Sequence, residues 1–505
     1  MFWRNLFLRF AFLCFAALTG GSCSRPPGFH ADRMELWYWH HSYLSSPHAV
    51  ETSKALLDRA ARAGYTGVAL WDSSWIFMSE PDWPEQNRKY LAEVVAHAAQ
   101  LKLRILPVVA PYGHSNDLLK HHPDWSEGQR VVGARFQVDP GGRARLLPSL
   151  SQSAVPDGPL LTLQVNLTPW RQYSVRFAVR TRGFHGIAQT EVTDGPANRL
   201  DGIIHARPDQ DWTAEEYTFN SASSGSVRIM AGAFGPHSGA FELARFSMEE
   251  TALRYMVRGA GAPVRFYDPS RPAIAFDGGH LPPGQVIAMD YYAAIPIYDE
   301  ALDVCLTEPK IAQWMTRNAS DASALTPHGS GLFLSYDEMR HMNSCALCRA
   351  RRITPGALLA ANIRSMAAQT RRFGPLYVWS DMFDPLHNAV DHFFMVEGSL
   401  RGSWKGLDPD ITVVNWNLQH LRPSLLWFSG DDPRQRVPHR QIIAGYYDPS
   451  DHDGAAAARL ELAEARSIPG IAGIMYTTWR DDYSQLEQFA KGAREEWTRY
   501  RGSRP

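Results

Sequence analysis

The chain has 505 residues, 45% of them hydrophobic and 20% charged, with a formal net charge of -1. That balance belongs to a well-cored globular protein, large enough for two or three domains or one interrupted barrel, and excludes a disordered chain. Basic residues form no runs, so neither a nucleic acid nor an anionic membrane surface is implied as a partner.

The first 23 residues read as an export signal. Arg4 and Arg9 precede the apolar run Phe10 to Leu18, which is too short to span a bilayer, and small residues follow. Gly20-Gly21-Ser22-Cys23 resembles a bacterial lipoprotein cleavage box. Two outcomes fit: a periplasmic or outer-membrane lipoprotein whose only membrane link is a lipid on Cys23, or simple secretion.

From 33 to 130 apolar strands alternate with helices. Glu35 to His41 is strand-like and ends polar; Ser53 to Ala63 is helical. Gly67 to Asp72 is a second strand, Gln86 to Gln100 a helix with apolar spacing, and Arg104 to Ala110 a third strand. Nearly continuous apolar strands separated by helices predict a parallel sheet covered by helices. From 131 to 252 this pattern stops. Short alternating runs such as Tyr173–Arg180, Trp212–Phe219 and Val227–Ala231 lie between turn clusters, which predicts an inserted antiparallel β-sandwich. Residues 253–308 add strand-like pieces, including Val264–Tyr267 and Gln285–Tyr292.

Helix and strand alternate again from 309 to 500. Lys310 to Ala319 is helical, and Gly331 to Glu338 is a short apolar strand ending in two adjacent carboxylates. A long helix over Pro355 to Arg372 follows, then strands at Leu376–Asp381, Ile411–Asn417, Gln441–Asp448 and Gly470–Trp479, an Ala-rich helix at Gly454–Arg466, and a terminal helix. Three strands before the excursion and five after it total eight. The expected fold is therefore α/β, a (β/α)8 TIM barrel interrupted after strand 3 by an antiparallel β-sandwich.

In such a barrel the C-terminal strand ends share one face and build the active site. Here they supply His40, His41, Trp71, Asp72, Tyr112, His114, Asp337, Glu338, Trp379, Asp381, Asn415, Trp416, Tyr446, Tyr447, Asp448, Tyr476 and Trp479. Aromatic walls that pack the C–H faces of a ring, with carboxylates and amides for its hydroxyls, suit an oligosaccharide or polysaccharide. An Asp-Glu pair at such a strand end is costly to bury unless it is partnered or does chemistry.

Outside the export signal three cysteines remain, Cys305, Cys345 and Cys348, with His341 close by. A disulfide from Cys305 to one of the pair is the ordinary reading in an oxidising compartment. A zinc site through His341 and the thiols is the other, and thiolate-rich zinc sites are usually structural. No catalytic metal or cofactor is implied.

Three strand endings together resemble glycoside hydrolase family 20, the β-N-acetylhexosaminidase family: Tyr336-Asp337-Glu338, Trp379-Ser380-Asp381 and the final Trp479. The resemblance covers roughly 33–125 and 309–495. The inserted region, around Asp211-Trp212-Thr213, looks like a carbohydrate-binding module. The resemblance implies an exported, retaining glycoside hydrolase that cleaves a terminal N-acetylhexosaminide, the substrate's own acetamido oxygen acting as nucleophile. It implies Glu338 as the proton donor, its pKa raised by burial and by its charged neighbour, and Asp337 as the group that orients the acetamido. Tyr446 or Tyr447 would bind the acetamido oxygen, and Trp379, Trp416 and Trp479 would wall the pocket. Two departures stand out: Ser335-Tyr336 occupies the place of the family's Gly-Gly, and His40-His41 the place of its sugar-gripping Arg. Two further readings remain open. One is a glycosidase of other specificity that pairs Glu338 with Asp381 or Asp448; the other is a glycan-binding lipoprotein without activity.

Overall fold

The computed structural model describes residues 34–81, 83–109, 112–195, 198–252, 256–259, 264–267, 273–276, 281–298, 301–446 and 453–502. The expected export signal, with Cys14 and Cys23, and the strand-end residues Tyr447 and Asp448 lie outside the described residues. No helix among the described residues is long and apolar enough to cross a membrane.

Eight parallel strands form one sheet: β1 (Glu35–His41), β2 (Gly67–Trp71), β3 (Arg104–Pro107), β4 (Leu332–Phe333), β5 (Leu376–Trp379), β6 (Thr412–Asn415), β7 (Gln441–Gly445) and β8 (Ile471–Tyr476). Their order is β4-β5-β6-β7-β8-β1-β2-β3. A parallel bridge from Val108 to Phe333, with Val109 N donating to Phe333 O at 3.1 Å, joins the two edges and nearly closes the ring.

Both faces of each strand are buried, and period-two alternation sorts the side chains between two cores. Trp37, Trp39, Ala69, Leu106, Phe333, Tyr377, Trp379, Val414, Ile442, Ala444 and Met475 fill the barrel interior. Leu36, Tyr38, Val68, Leu70, Ile105, Val378, Val413, Ile443, Ile474 and Tyr476 face the helix layer. Gly67 makes room for the large interior ring, since a Cβ there would meet Trp37 Cζ3 at 2.6 Å. At the N-terminal mouth Glu35 Oε1 pairs with Arg104 and Arg440, both at 2.9 Å.

The covering helices include Pro47–Arg62, Glu85–Gln100, Pro309–Leu325, Pro355–Thr370, Gly454–Glu464 and Leu486–Gly502. The first begins earlier than apolar spacing alone predicts. Ser46 caps it by accepting from Ala49 N, and Pro47 supplies a ready φ at the first turn.

Between β3 and β4 the chain builds two antiparallel sheets. In one, Gln129–Val138 pairs with Val286–Ala293, and Ala144–Leu146 with Ala273–Phe276, so pairing runs across the boundary expected at 252. The other holds six strands from Ser151 to Glu250. Its two long strands, Gln172–Thr193 and Ser226–Glu250, run through two zones of pairing. The first half of Gln172–Thr193 pairs with Gln210–Asn220, and the second half with Asn198–Ile203. Val175, Phe177, Val179, Val192, Phe219, Ile229, Phe241 and Met248 form a core of their own. The chain returns through Tyr298 to Cys305, where Leu302 O accepts from Ser115 N at 2.7 Å and Leu302 N donates to Asn116 Oδ1 at 2.9 Å.

Candidate active site

A cavity of about 620 Å³ opens at the C-terminal ends of the barrel strands. Its floor is an indole cluster: the Trp39 ring lies 5.4 Å from Trp379 and 5.3 Å from Trp479. Trp479 is 37% exposed and forms a rim. His41 packs on Trp71 at 4.3 Å, and Trp416 on His387 at 4.2 Å. Asp337, Glu338, Arg340 and His114 supply the charged wall, and Tyr298 comes from the returning excursion.

The segment after β4 is not the straight strand expected over Gly331 to Glu338. Ladder pairing assigns only Leu332–Phe333 to the strand. Leu334 N still donates to Tyr377 O at 2.8 Å, and Ser335 O accepts from Trp379 N at 3.0 Å. Ser335 (φ 62), Tyr336 (φ 63) and Glu338 (φ 38) then adopt left-handed backbone, which is uncommon outside glycine. The turn swings Tyr336 out of the pocket. Its ring is buried and stacks on Tyr112 at 4.6 Å, and its hydroxyl donates to Asn362 Oδ1 at 2.6 Å. Tyr336 therefore does not narrow the cavity.

Backbone contacts hold the two carboxylates. Asp337 N donates to Tyr112 O at 3.0 Å. Gly113 lies beneath it with φ +83, and a Cβ there would sit 1.5 Å from Asp337 O. Glu338 N donates to Asp381 Oδ2 at 2.9 Å. That same carboxylate accepts from Asn388 Nδ2 at 2.9 Å and from Trp416 Nε1 at 3.2 Å. Asp381 thus lies buried under the pocket as an anchor, with both oxygens engaged.

The side chains of the pair sit in opposite electrostatic settings. Glu338 Oε2 forms an ion pair with Arg340 and lies 3.6 Å from His114 Nε2. Arg340 is 3% exposed and stands over the Tyr298 ring at 4.5 Å. Burial alone would raise the pKa of Glu338, but His114 and Arg340 outweigh it and hold the carboxyl below its ordinary value. Asp337 is pushed well above the usual range by burial, then by the like charges of Asp381 and Glu338. Burial lowers His114, yet its bond to Glu338 and the field of Asp337 carry it above the ordinary imidazole value. The Glu338 carboxyl, expected to be raised, is lowered instead, because His114 and Arg340 both face it, while burial raises Asp337.

Of the expected residues, His41, Trp71, His114, Asp337, Glu338, Trp379, Trp416 and Trp479 line the cavity together. His40, Asp72, Asp381, Tyr446 and Tyr476 do not, and strand geometry explains most of this. His40 has the parity of Leu36 and Tyr38, so it points to the helix layer, where Nε2 meets Ser53 Oγ at 3.0 Å and Nδ1 meets Tyr483 OH at 3.2 Å. Tyr476 faces the same way, its hydroxyl donating to Asp482 O at 2.6 Å. Tyr446 has φ 62 and turns outward to stack on Tyr476 at 4.9 Å. Asp72 caps the helix Ser73–Phe77 through Ser74 N and also accepts from Ser42 Oγ and Leu44 N. Sequence reading passed over Arg340, whose one available signal was an arginine two places after an acidic pair. It also passed over Trp39, which only interior parity could have placed at the floor.

No family model matches the chain, and no curated protein matches it. Solved structures similar to it include a β-N-acetylhexosaminidase, 11% identical, with 93% of this chain and 75% of that one covered and a TM-score of 0.42. A second is a glycoside hydrolase family 20 exo-β-N-acetylglucosaminidase from Vibrio harveyi in complex with N-acetylglucosamine, 10% identical, with 93% and 56% covered and a TM-score of 0.42. The chain thus spans little more than half the length of that enzyme. A carbohydrate-binding module from Cellvibrio mixtus lichenase 5A in complex with cellotriose matches 24% of this chain over 100% of its own length, at 17% identity and a TM-score of 0.15. The resemblance to glycoside hydrolase family 20 is therefore distant.

Proposed function

We propose that the cavity is the active site of a glycoside hydrolase that removes a terminal sugar, with an N-acetylhexosaminide as the leading substrate. The observation that carries this is the pair of adjacent carboxyls in the cavity wall, Glu338 facing Arg340 and His114, above a floor of indole rings; burial drives Asp337 up while its two cationic neighbours hold Glu338 down. Divergent pKa values on neighbouring carboxyls mark an acid and a permanently charged partner. A sugar ring would lie on Trp39, Trp379 and Trp479. Asp337 would protonate the glycosidic oxygen as the C1–O bond breaks. The acetamido oxygen would close on C1, and ionised Glu338 would face the resulting positive charge. Water would then attack C1, giving its proton to the Asp337 carboxylate, with net retention. This exchanges the roles that the family resemblance implies for the two residues.

Asp381 serves as a positioning residue in this scheme, because three donors already occupy its oxygens. In the inserted sheets, Trp212 is exposed beneath the Arg180 guanidinium at 4.7 Å, a platform that suits an accessory glycan-binding role. Export through residues 1–23, as a lipoprotein or a secreted protein, belongs to the same proposal.

The test is a panel of aryl glycosides with and without a 2-acetamido group, run on the wild type, Asp337→Asn and Glu338→Gln. Loss of a proton donor harms poor leaving groups most, so Asp337→Asn should keep much of its turnover on a dinitrophenyl glycoside. Glu338→Gln should lose turnover on every leaving group. The opposite pattern would restore the family assignment, and full activity in both variants would remove the pair from catalysis.

A further inference from the structure

A second cluster lies outside the pocket. The Sγ atoms of Cys305, Cys345 and Cys348 and one carboxylate oxygen of Glu127 all lie within 4.8 Å of one another, and all four residues are buried. The three thiols are free, so the disulfide expected from Cys305 to one of the pair is not formed. Cys305 Sγ stands 3.3 Å from Cys345 Sγ and 3.6 Å from Cys348 Sγ. Zinc–sulfur bonds of about 2.3 Å at tetrahedral angles place sulfurs about 3.8 Å apart, so small rotamer shifts would seat the ion.

Glu127 supplies the second observation. It is 1% exposed, and none of its hydrogen-bond partners among the described residues is a cation. Oε1 is held by Ser344 N at 2.9 Å, Ser344 Oγ at 3.1 Å and Cys345 N at 2.5 Å. Oε2 is left facing Cys348 Sγ at 3.2 Å. One oxygen fixed by outer hydrogen bonds and the other aimed at thiols is how a ligating carboxylate is oriented. Without a cation, neutral hydrogen bonds alone would have to offset the desolvation of this buried carboxylate. Thr307 Oγ1 lies 3.2 Å from Cys305 Sγ and 3.3 Å from Cys348 Sγ, placed to donate to thiolates. His341, grouped with the thiols on sequence spacing, is not part of the set, since its Nε2 meets Ser344 Oγ at 2.7 Å.

We propose that Cys305, Cys345, Cys348 and Glu127 form a structural zinc site that clamps the loop bearing Glu338 and Arg340. All four coordination positions are protein side chains, which leaves none for water or substrate and makes the role structural rather than catalytic. The site joins three segments: the entry to the excursion at Glu127, its return at Cys305, and the end of the Glu338 loop at Cys345 and Cys348.

The experiment is metal analysis of the purified full chain, desalted through a chelating wash, with thiol counting by alkylation and mass spectrometry. About one zinc per chain is expected, with the three thiols resistant to alkylation until the metal is removed. Cobalt reconstitution should give a sulfur-to-cobalt charge-transfer band and the visible bands of tetrahedral coordination. Cys345→Ser should lose the zinc, and Glu127→Gln should release it to a competing chelator at least about 10-fold more readily. Zinc below about a tenth of an equivalent in the wild type, with no cobalt charge transfer, overturns the proposal. So does a disulfide between any two of the three cysteines. These readouts come from the wild type and hold even where a variant fails to fold.

Discussion

Replacing Arg340 by Met tests the electrostatic reading of the pocket directly. The guanidinium is 3% exposed and pairs with a carboxylate that keeps 27% exposure. With charge centres about 4 Å apart and an effective dielectric near 20, the attraction is about 4 kcal/mol. Because water reaches Glu338, roughly half of that survives as a net effect, about 2 kcal/mol, so the Glu338 carboxyl should rise towards its ordinary value once the guanidinium is gone. Methionine keeps apolar contact with Tyr298 and Phe394, so packing loss is small. In the proposed scheme Glu338 works ionised, so the acid limb of kcat/KM reports its pKa, and the variant should move that limb up. The alkaline limb, set by Asp337, should also rise but by less, since Arg340 is the weakest of the influences on that group.

Stability follows the same linkage. The folded pKa of Glu338 is depressed, so its contribution is present above the ordinary value of 4.5 and is lost as pH falls through the folded value. Urea denaturation should therefore show Arg340→Met about 1–3 kcal/mol less stable at neutral pH, with the gap narrowing in acid. Carbon NMR of labelled glutamate carboxyls follows the same titration without turnover. An acid limb and a Glu338 titration that both move by less than about 0.3 unit would refute the reasoning.

Three further changes probe the support of the site. Gly113→Ala places a Cβ 1.5 Å from Asp337 O at φ +83, so the backbone under Asp337 must move; kcat should fall at least about 100-fold while circular dichroism stays native. Trp479→Ala removes the exposed rim of the indole floor and should raise KM about 10-fold with little change in kcat, read from Michaelis curves on the best aryl glycoside. Glu461 is a buried carboxyl with Oε2 unpartnered among the described residues, pushed up to about 8 by burial. Its proton affinity is higher folded than unfolded, so the wild type should lose stability progressively from about pH 4.5 to about pH 8. Glu461→Gln should flatten that slope in denaturation curves at pH 5, 7 and 9, and an unchanged slope would count against the burial argument.

The barrel was legible because its strands are covered on both faces and therefore read as unbroken apolar runs, such as Arg104 to Ala110. The same property hid the inward side. Leu36, Trp37, Tyr38 and Trp39 are all apolar, so no alternation showed that the tryptophans face the interior. That lost parity placed His40 and Tyr476 at the pocket when only His41 belongs there. Tyr446 escaped for another reason, a left-handed backbone at a residue type with no preference for it. The cysteine spacing was visible, but Glu127 stands far away in the chain and becomes a neighbour only when the excursion closes.

The turn from Ser335 to Glu338 contains three left-handed non-glycine residues, each costing about 1–3 kcal/mol, so it must be held from outside itself. The holding groups come from separate parts of the chain. Tyr112 O fixes Asp337 after β3, and Asp381 fixes Glu338 after β5. Arg340, which pairs with Glu338, rests on Tyr298, and His341 N donates to Asp303 Oδ2 at 2.9 Å. Tyr298, Asp303 and Cys305 all lie on the segment that returns from the inserted sheets. The excursion is therefore structurally continuous with the pocket. A shortened chain that kept the eight barrel strands but lost this return would keep the indole floor and lose both the ring beneath Arg340 and the Asp303 carboxylate that holds His341 N.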